Sequence, residues 1–369
     1  MGSVFITGTG LFTPPHSISN EELVTAFNAY VATENKRREG TAQEPLAESS
    51  PEFIVKASGI RSRYVMNKTG ILDPERLAPD LPQRSQDEQS VQCEMAVAAA
   101  REALSAAGLE PSDIDCVIVA CSNYQRAYPA IAIEVQQALG INGFAYDMNV
   151  ACSSATFGIQ NATAAITAGN ARRVLMVNPE ICSGHLNFRD RDCHFIFGDV
   201  CTAVVLESED DARGKPAWQI LDSRLQTSFS SNVRNDAGFL DRHDGSSPSD
   251  PNKLFHQQGR KVFKEVCPMV ATQITDHLAA ADIPVENVDR LWLHQANLTM
   301  NVFISKRVLG REPSAEEVPV VLDEYANTSS AGSIIAFHLH QKDLQEGAIG
   351  VLCSFGAGYS VGSVILRRA

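Results

Sequence analysis

Three side chains in this chain could together do covalent chemistry: Cys152, His294 and Asn327. Cys152 stands in Asn149-Val150-Ala151-Cys152-Ser153-Ser154-Ala155. An apolar, strand-like run over 144–150 leads in, and small residues from Ser153 through Gly169 read as a helix leading out. A thiol at a strand-to-helix turn lies at the positive end of the helix dipole, which favours thiolate over thiol. A thiolate there is a nucleophile. His294 ends an apolar strand in Leu291-Trp292-Leu293-His294-Gln295-Ala296-Asn297, a placement suited to a cleft. Asn327 lies in Tyr325-Ala326-Asn327-Thr328-Ser329-Ser330-Ala331. Taken singly, each has a plainer reading: a buried structural cysteine, a hydrogen-bonded core histidine, a helix N-cap.

The elements that must position them are legible as alternating strands and helices, which is the pattern of α/β layers. Residues 114–120, 173–177 and 202–207 read as buried strands, and Trp218-Gln219-Ile220-Leu221 starts another. Met1 to Gly8 reads as a first strand ending in a glycine turn, and Ser90 to Ala107 as a helix ending at Gly108. An internal repeat runs through the chain. Residues 112–119 resemble 286–293, 150–155 resemble 325–331, and 197–206 resemble 355–364, in the same order. A duplicated α/β unit is expected, with halves at 1–210 and 211–369. It would bring Cys152 and Asn327 to equivalent, facing helix starts. Residues 31–50, 67–88 and 230–252 fall outside the repeat and read as surface insertions or loops.

Composition closes off other classes. A chain of 369 residues with 44% hydrophobic content can bury a sizeable core, in two domains or two fused halves. No apolar run is long enough to span a bilayer, and no basic-then-apolar leader opens the chain. Nine cysteines with no CxxC spacing point to neither disulfide framework nor zinc site, and suit a reducing cytoplasm. A formal charge of −13 argues against non-specific nucleic-acid binding. Phe355-Gly356-Ala357-Gly358-Tyr359 lacks the strand–GxGxxG–helix setting of a dinucleotide site and reads as a tight turn.

Together these segments resemble the β-ketoacyl-acyl carrier protein synthase III family of the thiolase-like superfamily. The resemblance rests on Ala151-Cys152-Ser153, His294-Gln295-Ala296-Asn297, Asn327-Thr328-Ser329, Gly59-Ile60-Arg61 and Phe197-Gly198-Asp199. It implies a thiolase-like fold, two duplicated α/β halves in a five-layered αβαβα arrangement. It implies a condensing enzyme with acyl-CoA and malonyl-acyl carrier protein as substrates, no cofactor and no metal. Cys152 would take an acyl group, with the amides of Cys152 and Ala357 as oxyanion hole. His294 and Asn327 would then meet the enolate charge left by malonyl decarboxylation: Asn through its permanent N–H, neutral His through one from the correct tautomer. Phe53, Arg61 and Asn297 would contact CoA or its pantetheine arm. Tyr128 would floor an acyl pocket across a homodimer interface. The carrier protein is acidic in this family, so Lys261, Lys264, Lys306 and Arg307 become its expected docking patch, or simply a solvated helix face.

The chain also departs from the family pattern. Ala357 replaces the middle glycine of the C-terminal run, and alanine tolerates positive φ poorly. Phe53 replaces a tryptophan, and Thr299 an arginine. The longer chain resembles members that accept primers longer than acetyl. Related condensing enzymes of secondary metabolism, of polyketide or alkylquinolone type, remain an alternative, as does a non-catalytic partner subunit. A hydroxymethylglutaryl-CoA-synthase-like enzyme would need a pocket Glu, and Glu134 faces elsewhere on its helix. Biosynthetic thiolases would need a second cysteine in the glycine loop, whereas Cys353 lies on the preceding strand. A papain-like Cys/His/Asn protease does not fit the flanking sequences or the duplication.

Overall fold

The computed structural model describes residues 2–85, 87–238, 241, 245, 247 and 250–369. Nine strands form one continuous sheet: β1 Val4–Phe12, β2 Cys116–Ala120, β3 Phe144–Met148, β4 Arg173–Ile181, β5 Asp199–Ser208, β6 Trp218–Ser230, β7 Arg290–Leu293, β8 Ile349–Gly356 and β9 Gly358–Arg368. Their order across the sheet is β7-β8-β9-β6-β1-β5-β4-β2-β3. The duplication expected from sequence is visible in the pairing. In the first half β1 runs antiparallel to β5, β5 antiparallel to β4, and β4 parallel to β2. In the second half β6 runs antiparallel to β9, β9 antiparallel to β8, and β8 parallel to β7. The halves join through a short β1–β6 ladder, Val4↔Ile220 to Ile6↔Trp218.

Among the described residues the eight longer helices are α1 Asn20–Arg38, α2 Pro51–Ser58, α3 Val91–Ala107, α4 Ile131–Leu139, α5 Ser154–Thr167, α6 Gly259–Ala280, α7 Leu298–Leu309 and α8 Gly332–Leu339. Side-chain packing sorts most of them into layers. One apolar cluster packs α5 and α8 between strands of both halves. A second packs α3 and α4 on the outer face of the first half, and a third packs α6 and α7 on the outer face of the second. That is helix, half-sheet, helix, half-sheet, helix, the two sheet layers being the two halves of the one continuous sheet. At the centre Trp218, Trp292 and Phe337 meet edge to face, with ring centroids 4.9 to 5.7 Å apart. Truncating one such buried aromatic typically costs ~3–5 kcal/mol.

Several sequence expectations need correction. Gly8 makes no turn; β1 runs through it to Phe12. Gly8 and Gly10 are small because α3 lies on them: a Cβ would meet the carbonyl oxygens of Ala103 and Ala99, each at 2.1 Å. The segment 31–50 is not wholly an insertion, since its first eight residues finish α1, which starts in a Ser19/Glu22 capping box. Its outer face is polar because it meets solvent, while Val31 is buried. The following residues are tied back by side-chain amides: Asn28 brackets Ser49, and Asn35 brackets Leu46. In the segment 67–88, Ile71 and Leu77 are buried in the core, so 70–77 is packed structure, while the described residues of 79–88 lie at the surface as expected. In 230–252, Val233–Arg234 pairs with His256–Gln257; most of 239–249 lies outside the described residues.

Candidate active site

The strand β3 delivers the chain to Asn149, whose Oδ1 accepts the Ala151 N–H at 2.8 Å and whose Nδ2 donates to Ser122 O at 2.8 Å. This side chain forces a tight turn, and Ala151 takes a left-handed φ of 46°. One 3₁₀ turn, Ala151–Ser153, precedes α5 and holds Cys152. The sulfur faces a cavity of about 520 Å³. Sequence reasoning expects a thiolate there. Burial instead pushes the Cys152 thiol up to about 11; the Ser329 hydroxyl and the amides of Ala357 and Cys152 pull it down, and Glu180 pushes it up. Desolvation is the largest of these influences.

The Ala357 amide comes from the β8–β9 turn. Its alanine proves harmless, because the left-handed backbone falls on Gly358 (φ 132°) and not on Ala357. The constrained glycine is Gly356, where a Cβ would meet the Cys152 Cβ at 2.5 Å and its Sγ at 3.0 Å. The glycine loop therefore lies directly on Cys152, with the Ala357 N–H in hydrogen-bonding reach of the sulfur.

His294 follows β7, and its N–H donates to Cys353 O at 2.8 Å. Its ring stands edge-on to Phe355 with centroids 5.1 Å apart. Burial holds its pKa down to about 3, so the imidazole is neutral. Asn327 is set by backbone on both sides: its N–H donates to Ile196 O and its carbonyl accepts from Gly198 N–H. Its Oδ1 accepts the Ser329 N–H at 2.9 Å, which leaves Nδ2 as the free donor. Cys152, His294 and Asn327 all line the one cavity.

The repeat is real, but its site register differs from the sequence alignment. The turn equivalent to Ala151–Ser153 is Ser329–Ala331, and each opens on a left-handed residue. Asn149 and Asn327 cap their turns identically. Asn327 is therefore the counterpart of Asn149, and Cys152 that of Ser330. Glu180 ties the second turn to the segment after β2: its carboxylate accepts from the N–H and hydroxyl groups of both Ser122 and Ser330. No local motif in the sequence marks this residue.

The remaining predicted positions separate into those near the cavity and those away from it. Asn297 lines it, but its Oδ1 accepts from Thr299 N–H and its Nδ2 donates to Ala57 O, so both ends are already engaged. Phe53 packs edge-on to the cavity residue Phe195, with the Arg191 guanidinium 3.9 Å above its ring. Arg61 is exposed and uses its backbone to join Asn20 and Asp323. Lys264 lines the cavity, as does Arg260 one turn earlier on α6; sequence reading missed Arg260, although i, i+4 spacing with Lys264 could have flagged it. Lys261 and Arg307 are exposed, and Lys306 pairs with Glu312. Tyr128 is 85% exposed and does not line this chain's cavity. Glu134 binds Ser90 and Arg126, away from the site. Among the described residues no cluster of His, Cys, Asp and Glu could hold a metal, and no helix is long and apolar enough to cross a membrane.

The buried histidines make stability depend on pH. Burial lowers His185 to about 4, His194 to about 4 and His294 to about 3. Between these values and the ordinary 6.5 the unfolded chain binds more protons, so stability falls as pH drops through that window. Asp199, raised to about 6 by burial, works oppositely and gains stability as pH falls. Going from pH ~7.5 to ~5 should cost about 2 kcal/mol per histidine and return about 1 from Asp199. Calorimetry should show a lower Tm at the acid end; an unchanged or higher one would contradict this accounting.

Comparison with known proteins agrees with the geometry. The 3-oxoacyl-[acyl-carrier-protein] synthase III profile matches residues 146–228, and its C-terminal profile matches 278–368. A β-ketodecanoyl-[acyl-carrier-protein] synthase of Pseudomonas aeruginosa is 65% identical over 347 residues, covering 93% of this chain and 99% of that protein. A β-ketoacyl-[acyl-carrier-protein] synthase III of Chelativorans is 31% identical, covering 98% of each. The crystal structure of the Aquifex aeolicus 3-oxoacyl-[acyl-carrier-protein] synthase III superposes with a TM-score of 0.76 at 25% identity, over 99% of each chain. With its duplicated fold and its clustered Cys, His and Asn, the chain belongs to the 3-oxoacyl-[acyl-carrier-protein] synthase III family of acyl-transferring condensing enzymes.

Proposed function

We propose that this enzyme condenses a medium-chain acyl-CoA, of eight carbons, with malonyl-acyl carrier protein. The products are 3-oxodecanoyl-acyl carrier protein, CoA and carbon dioxide. The carrying observation is that Cys152, His294 and Asn327 line one cavity whose walls include Phe195, Phe197, Phe255 and Phe355. Primer length rests on the 65% identical relative named for β-ketodecanoyl synthesis, since a two-carbon extension to ten carbons starts from eight.

Each step has its residues. The Cys152 thiol gives up its proton as its sulfur bonds the acyl carbonyl, and CoA leaves as a thiol carrying a proton. The amides of Cys152 and Ala357 meet the oxyanion. Malonyl thioester then loses carbon dioxide, and the electron pair moves onto the thioester enolate. Neutral His294 and Asn327 Nδ2 donate to that oxygen. The enolate carbon bonds the acyl carbon, and the Cys152 thiolate leaves. Decarboxylation supplies the carbanion, so the proposal requires neither metal nor prosthetic group, and activity should survive chelation.

Residues 1–210 and 211–369 are read as the two half-units, and a cytoplasmic homodimer is part of the proposal. Exposed Tyr128 and the edge strand β3, with Phe144 42% exposed, support a second copy. For carrier docking, Lys264 at the mouth and exposed Arg307 are favoured over ion-paired Lys306. Reversing both charges should raise the KM for the malonyl carrier about tenfold and change acyl-CoA binding less; equal effects would remove them from the docking surface. The decisive experiment is a panel of acyl-CoA primers from two to twelve carbons with malonyl-acyl carrier protein. Maximal kcat/KM is expected at eight carbons, and a maximum at acetyl would overturn the primer assignment.

A further inference from the structure

The nucleophile turn and the loop bearing Ala357 come from opposite halves of the chain, yet their amides must converge on one oxygen. Two buried hydroxyls join them. Ser153 is 0% exposed and Ser360 1% exposed. Ser153 Oγ donates to Ser360 O at 3.1 Å and lies 2.9 Å from Ser360 Oγ. Ser360 Oγ also lies 2.9 Å from Ala357 O and 3.4 Å from Val150 O. Each hydroxyl has one proton and can accept others. Ser153 spends its proton on Ser360 O, and the Ser360 proton has Ser153 Oγ and Ala357 O as its closest acceptors. The pair thus reaches both sides of Cys152, through Val150 and Ser153, and the carbonyl of Ala357 itself. Neither serine lines the cavity.

Close packing alone does not set this geometry. The contact of Gly356 on Cys152 fixes how near the two segments come. It does not fix how they slide past one another. Hydrogen bonds, being directional, do. Oxyanion donors act only when preorganised at the position the charged oxygen will take.

We propose that Ser153 and Ser360 form a clamp of positioning residues that holds the Cys152 and Ala357 amides aimed at a single point. The clamp rests on the reading of Cys152 as nucleophile and of those two amides as oxyanion hole. It sets the rate of acyl transfer while leaving the thiol's own reactivity alone, because neither serine hydrogen-bonds the sulfur.

Two reactions of the same sulfur separate these effects. Acylation by octanoyl-CoA passes through an oxyanion; alkylation by iodoacetamide displaces iodide and needs none. Both are followed by intact mass on Ser153→Ala, Ser360→Ala, the double variant and Ser360→Thr. The double variant should acylate about a hundredfold more slowly at saturating octanoyl-CoA, with unchanged half-saturation and alkylation within twofold of wild type. Each single alanine should lose nearly as much as the double, and Ser360→Thr should retain most of the rate. Acylation by the double variant within twofold of wild type would overturn the clamp. So would equal losses in acylation and alkylation. If the double variant does not fold, Ser360→Ala against Ser360→Thr decides: slow against normal supports the clamp, and equal rates overturn it. Wild-type protein that alkylates but takes no octanoyl group would defeat the nucleophile reading, and the clamp with it.

Discussion

Cys152→Ser is expected to abolish acyl transfer from CoA, with a loss of at least about a thousandfold. A serine hydroxyl in the same turn would keep the amides of Cys152 and Ala357 in place, since these are backbone groups. What disappears is the nucleophile. Even the thiol is pushed up to about 11 by burial. A hydroxyl is a far weaker acid than a thiol and faces the same desolvation with no base in contact. His294 is neutral but stands against Phe355 and makes no hydrogen bond to the sulfur. Intact-mass measurement after incubation with octanoyl-CoA checks this; a stably acylated variant at that residue would contradict the assignment.

Asn327→Ala should split the reaction. Cys152 should still be acylated within a few-fold of the wild-type rate, while malonyl decarboxylation falls about a hundredfold or more, the usual cost of one lost oxyanion donor. The alanine also releases the Ser329 N–H that Asn327 Oδ1 caps, so loss of structure has to be separated from loss of the donor. Asn327→Asp does this. Its carboxylate still accepts that N–H but presents oxygen where Nδ2 donated. If decarboxylation falls equally in both variants while the aspartate variant keeps its Tm, the donor is what matters. A variant of either kind that decarboxylates malonyl carrier at the normal rate would remove Asn327 from that half-reaction.

Much of this was readable in advance, for local reasons. Cys152, His294 and Asn327 each end or begin an element, and those elements announce themselves by apolar runs and small-residue helices. The helix Val91–Ala107 was legible because Ser90 caps one end and Gly108, left-handed, closes the other. The duplication was legible because both copies keep the same strand order and the same Asp at the foot of a strand. Asp115 accepts the Arg173 N–H, and Asp289 accepts the Ile349 N–H.

What failed were readings that depend on what lies across from a residue. Gly8 looked like a turn because nothing in its neighbourhood says that α3 rests on it. Ala357 looked like a liability because the sequence does not say which residue of the loop turns left-handed. Cys152 looked like a thiolate because a helix start is a local feature, whereas the burial that raises its pKa is assembled from distant segments. Residue types and order along the chain determined the fold class, the family and the candidate trio Cys152, His294 and Asn327, since periodicity, capping and motif chemistry are short-range. Only the tertiary structure decided the equivalence of Asn327 with Asn149, which rests on the backbone shape of two distant turns, the Glu180–Ser330 hydrogen bond and the Ser153–Ser360 contact; the last two span gaps of 150 and 207 residues that no local pattern encodes.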